Sequence, residues 1–163
     1  ARPYVLGSLW NKNYQPPTKI QDSKNDIRMI KTKSGHQIIF NDEKGKESIE
    51  LKTPKELSLT LDDEKEVITI KDKEGQNIVK IDSKNGQLTI EAPKKIKVNS
   101  GNSSVILDAQ ANSVSIESNS SINIKSQQIN INAQATMQIS AANLLNIKSD
   151  GATNVKGAVV KIN

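Results

Sequence analysis

The sequence predicts an all-β protein whose repeats close only when three copies wind together, an intertwined triple-stranded β-helix. Two observations carry the fold class and a third carries the copy number. From Ile49 onward the aliphatic residues come in pairs two apart, which places both side chains on one face of a strand. The spacing of three and four that marks a helix is absent. Only four of the 163 residues are aromatic, Tyr4, Trp10, Tyr14 and Phe40, so any core beyond residue 40 is narrow and aliphatic. The repeat length then varies between 7 and 11 residues. In a single-chain solenoid, faces stacked one coil apart would drift out of register. In three identical chains on a common threefold axis, every face changes length at the same height.

Taken in order, residues 2–10 read as a strand without a preceding cap or turn, and residues 11–18, with Pro16-Pro17, as a loop. Ile27 to Ile30 and Ile38 to Phe40 read as two strands around a turn at Ser34-Gly35. The thirteen pairs that follow are Ile49/Leu51, Leu59/Leu61, Ile68/Ile70, Val79/Ile81, Leu88/Ile90, Ile96/Val98, Val105/Leu107, Val114/Ile116, Ile122/Ile124, Ile129/Ile131, Met137/Ile139, Leu145/Ile147 and Val160/Ile162. Turn chemistry separates the earlier ones, at Lys44-Gly45, Glu74-Gly75, Asn85-Gly86 and Ser100-Gly101. The domain organisation expected is residues 1–17 as the end of a preceding domain and its linker, 18–48 as connector strands, and 49–163 as the triple-stranded β-helix. Ile116, Ile124, Ile131, Ile139 and Ile147, the second members of successive pairs, are the expected trimer core at the threefold axis.

Charge divides the chain. Up to residue 99, nineteen Lys and Arg accompany fifteen Asp and Glu; beyond it only four and three remain, while Ser, Asn and Gln supply 26 of 64 residues. Low-charge polar tracts can signal disorder, but the aliphatic pairs continue through this one, where stacked amides and hydroxyls can form ladders along successive rungs. Lysines interleaved with acids, and without aromatic residues among them, argue against nucleic-acid binding.

Catalytic chemistry finds little purchase. With no cysteine there is neither a disulfide nor a thiol nucleophile, and His36 is the only histidine. Three copies of His36 on an axis could hold a metal, but beside a turn it reads as a strand-entry residue. Asp62-Asp63-Glu64 could be a cation site or half of a glycosidase pair; embedded among lysine and glutamate, it reads as a solvated corner. No serine lies in a Gly-x-Ser-x-Gly elbow. No catalytic, cofactor or metal residue is expected, and the chain reads as non-enzymatic. Rival readings are a single-chain β-solenoid that shuttles lipid and a solenoid polysaccharidase. No run nears the roughly 18 apolar residues of a membrane-spanning helix, and no signal peptide is recognisable.

Residues 2–11, Arg-Pro-Tyr-Val-Leu-Gly-Ser-Leu-Trp-Asn, followed by Pro16-Pro17 and by Ile30-Lys-Thr-Lys-Ser-Gly-His-Gln-Ile-Ile-Phe-Asn-Asp-Glu-Lys-Gly45, resemble the central-spike proteins of contractile injection systems. These are the VgrG proteins of type VI secretion and the spikes of contractile phage tails. The match spans about residues 2–51, and beyond it the likeness is one of repeat style. The resemblance implies that residues 1–17 close an OB-fold and that a membrane-piercing, homotrimeric needle follows. It also implies a hub, baseplate and tube on the N-terminal side, assembly in the bacterial cytoplasm as part of a secretion or phage tail-like particle, and delivery to a target cell envelope. Some phage spikes hold an axial iron with a His-x-His motif, which this sequence lacks; a separate PAAR-type tip protein is the expected cap. Val160, Ile162 and Asn163, in the last rung, are the residues expected to bind it.

Overall fold

The computed structural model describes residues 26–162. The expected OB-fold strand and linker over 1–17, the residues up to 25, and Asn163 lie outside the described residues. The chain divides into two units, Ala1–Ile122 and Asn123–Asn163.

The first unit is all-β, with no helix among its described residues. Seven strands, β1 (Ile27–Lys31), β2 (Gln37–Asn41), β3 (Ser48–Lys52), β4 (Ser58–Asp62), β5 (Val67–Lys71), β6 (Ile78–Asp82) and β7 (Gln87–Glu91), form one antiparallel sheet in sequence order. Three more, β8 (Lys95–Ser100), β9 (Ser103–Asp108) and β10 (Ser113–Ser118), form a second antiparallel meander. Each strand is five or six residues long, so one aliphatic pair fits each strand from β3 to β10. The two strands expected around Gly35 are β1 and β2, and they belong to the same sheet as β3 to β7.

Register follows from the side chains. Ile49 faces Leu61, Leu51 faces Leu59, and Leu59 faces Ile70 across the next strand. The pairing continues through Ile70–Val79 and Val79–Ile90, and in the second sheet through Ile96–Leu107 and Leu107–Val114. A slip of one residue would carry every aliphatic side chain to the other face. The charged residues agree with this register: no two like charges stand directly across from one another in any pair of strands. Lys52 faces Gln37 and Ser58, Lys71 faces Ser58 and Ile78, and Asp82 faces Val67 and Gln87. The one charged pair, Lys95 with Asp108, is of opposite sign and closes at 2.7 Å.

Asp side chains build the corners. The Asp62 carboxylate accepts from the Lys65 N–H at 2.9 Å, Asp72 from the Gln76 N–H at 2.9 Å, Asp82 from the Asn85 N–H at 3.0 Å, and Asp108 from the Gln110 N–H at 3.0 Å. Short acidic side chains satisfy loop donors in this way at four of the eight reversals, and the Thr32 and Thr53 hydroxyls do so at two others.

From Asn119 to Ile162 no strand forms within the chain, although the sequence leads one to expect strand and turn throughout. Among the described residues of this stretch, no backbone N–H reaches a backbone carbonyl of the same chain. The bonds that do form are local: Gln128 N–H to Ser126 Oγ at 3.4 Å, and Gly151 N–H to Ser149 Oγ at 3.2 Å. A strand is defined by its neighbour's hydrogen bonds, and here the described residues of one chain offer no neighbour.

Candidate assembly surface

Apolar side chains of the first sheet form two parallel rows on one face. One row is Ile38, Leu51, Leu59, Ile70, Val79 and Ile90; the other is Phe40, Ile49, Leu61, Ile68, Ile81 and Leu88. The first row lines a groove of about 660 Å³, and Phe40, Ile49, Leu61 and Ile68 of the second line one of about 550 Å³. His36, Thr53, Asp72 and Asn77 rim the first groove; Asp42, Glu47, Asp62, Asp63 and Glu66 rim the second. Val98, Val105 and Ile116 of the second sheet share a smaller groove of about 280 Å³ with Ile122, which follows it.

Nothing among the described residues covers these rows. Among the described residues no hydrophobic side chain is buried, and Ser58, 7% exposed, is the one buried residue. In β3 and β6 the normal order is inverted, since Ile49, Leu51, Val79 and Ile81 are exposed while Glu50, Lys80 and Asp82 are half-buried. Apolar surface on this scale is stable in water only when something removes it from water.

The expected core residues are accounted for one by one. Ile116 lies in β10 opposite Val105. Ile124, Ile131, Ile139 and Ile147 lie in the second unit at 71%, 69%, 64% and 74% exposure, so a single chain brings none of them together. Val160 and Ile162 are also exposed, Ile162 at 92%.

The residues weighed for chemistry take structural places. His36 closes the β1–β2 loop: its N–H donates to Thr32 Oγ1 at 3.0 Å, and its carbonyl accepts from the Thr32 N–H at 2.9 Å. Asp62 is bound to Lys65 at 2.6 Å, and the Asp63 N–H donates to the Glu47 carbonyl at 3.0 Å, so the acidic run is a hairpin corner. The Lys65 ammonium holds the Asp62 carboxyl below its usual range. The Asn77 side-chain amide does the same for Asp72, the Asn85 N–H for Asp82, and the Lys95 ammonium for Asp108. Each shift runs away from the near-neutral value that acid–base catalysis uses. No group of three or more His, Asp or Glu side chains suited to a metal occurs among the described residues.

Sequence reasoning missed that the aliphatic pairs up to Leu107 and Ile116 meet partners in their own chain. The corners were the available signal: an Asp at or just after a strand's end, with Gly or Asn a few residues on, recurs at Asp72, Asp82 and Asp108. Compared with known proteins, the chain matches no family model and no curated protein.

Proposed function

We propose that this chain is the load-bearing β-helical needle of a contractile injection spike, assembled as a homotrimer and acting mechanically. The observation that carries the reading is the apolar face that the described residues of the chain leave uncovered. The aliphatic pairs continue in sequence into a segment, Asn119 to Ile162, whose backbone has no backbone partner among the described residues of that chain. Three identical copies supply both needs at once, covering the aliphatic rows and providing strand neighbours. The resemblance of residues 2–51 to VgrG and phage-tail spikes supplies the mechanical role.

A bundle of short strands closed around an axis carries axial load through many rungs. Withdrawing one copy means breaking its ladders along the whole length. At the usual strand spacing, thirteen rungs give a needle of about 60 Å. A lipid-shuttling module is the second reading, favoured by the groove of about 660 Å³. It offers no partner for the backbone beyond Asn119.

Val160 and Ile162, both exposed in a single chain, are read together with Asn163 as the residues that three copies offer to a PAAR-type tip protein. Lys161 is the one charged residue after Lys156, so binding rests on buried aliphatic area and main-chain bonds. It is expected to change little as salt rises, since screening weakens charge-driven contacts selectively. The test is a calorimetric titration of the trimer with the tip protein, comparing the intact chain with one ending at Gly157. Loss of binding on truncation is expected, and equal binding by both removes the tip from this end.

A further inference from the structure

We infer that the chain changes its mode of pairing near Asn119: up to Ser118 it pairs with itself in hairpins, and from Asn119 to Ile162 its backbone pairs only with other copies of the same chain. The change of mode rests on the trimeric reading above. It moves the start of intertwining from residue 49, where the repeats begin, to residue 119.

Backbone reversal is the first ground. Eight loops join hydrogen-bonded neighbours in the two sheets, and each contains one residue with positive φ: Gly35, Gly45, Glu56, Glu66, Gly75, Gly86, Gly101 and Asn112. Tight hairpins need such a residue, because a backbone confined to negative φ splays the strands apart. The two-residue turn between β8 and β9, with Gly101 at 54°, shows the requirement most plainly. The connection without a positive φ, residues 92–94, joins β7 to β8, and these lie in different sheets. Where the left-handed residue is missing, self-pairing stops. Among the described residues after Asn112 there is none with positive φ, Gly151 and Gly157 included. The aliphatic pairs nevertheless continue at the same spacing through Ile147. A chain that keeps making strands without reversing advances around an axis.

Side-chain chemistry identifies the partner as a second and third copy. Symmetry brings identical or nearby residues of identical chains together, so charges would meet their own sign, whereas amides and hydroxyls are self-complementary. Charged residues number 31 of 93 from Asp26 to Ser118 but 5 of 44 from Asn119 to Ile162, where Ser, Asn and Gln supply 16. The self-paired part can carry charge because its register sets each charge opposite a neutral or oppositely charged residue. The later part has shed nearly all of it.

In such a winding each strand lies against the preceding or following repeat of a neighbouring copy. Asn123, Asn130 and Gln138 alternate with the aliphatic residues of successive repeats and so share the outer face. The chain has no cysteine of its own, so introduced pairs report without background. In the full-length trimer, Thr60→Cys with Thr69→Cys, opposite one another in β4 and β5, treated with a short bis-maleimide is expected to run at single-chain mass on a denaturing gel. Asn123→Cys with Asn130→Cys, and as a second pair Asn130→Cys with Gln138→Cys, are expected to give covalent dimers and trimers. A trimer whose later pairs link within one chain, or fail to link while the 60/69 pair does, overturns the change of mode and leaves the trimeric reading standing. Covalent oligomers from the 60/69 pair overturn it from the other side. A monomeric parent chain overturns the trimeric reading itself.

Discussion

Ile131→Asp is expected to abolish assembly, or to lower the melting temperature of whatever still assembles by tens of degrees. In a single chain Ile131 is 69% exposed, and a polar substitution at such a surface position ordinarily changes stability by less than about 0.5 kcal/mol. Around a threefold axis the same change places three carboxylates at one level in a dry interior. Each unpaired buried charge then costs several kcal/mol, and mutual repulsion adds to it. The environments thus predict effects that differ by more than about tenfold in free energy. Thermal melting together with resistance to SDS reads the difference directly. A variant as heat- and SDS-resistant as the parent would mean that Ile131 does not face the axis.

The second large effect is a contrast between neighbours on one strand. Leu61→Lys is expected to prevent or severely weaken assembly, while Thr60→Lys leaves it intact. Leu61 lies in the second apolar row between Ile49 and Ile68; Thr60 lies on the opposite face between Glu50 and Thr69. Exposure within one chain points the other way, since Leu61 is exposed and Thr60 half-buried. Covering a leucine is worth roughly 1.5–3 kcal/mol, and the loss recurs in every copy, with the cost of desolvating an ammonium added. A lysine introduced in place of Thr60 would instead stand opposite Glu50, a favourable cross-strand neighbour. Equal tolerance of both substitutions, measured by the fraction assembled in size-exclusion chromatography, would show that the aliphatic rows stay open to water.

Much of this architecture was legible because strand side chains alternate strictly. The pair spacing identified every strand from β3 to β10, and the turn at Ser34-Gly35 identified β1 and β2. What spacing cannot reveal is direction or ownership: Leu59 and Leu61 present the same face whether the next strand belongs to the same chain and runs antiparallel or to another copy. The information lay in the corners, and only partly in their residue types. Gly45, Gly75, Gly86 and Gly101 announce their reversals, but Glu56 and Glu66 hold positive φ as non-glycine residues that sequence rules do not single out. The proposed axial positions were legible only as a pattern. Ile124, Ile131, Ile139 and Ile147 are equivalent in sequence, and a single chain leaves all four in water.

Sedimentation equilibrium on the intact chain bears most directly on whether identical copies cover the apolar rows and complete the backbone pairing. The expected result is a single species of about three times the 17.8 kDa chain mass, unchanged across dilution into the nanomolar range. A species near 17.8 kDa that retains its β-structure would contradict it.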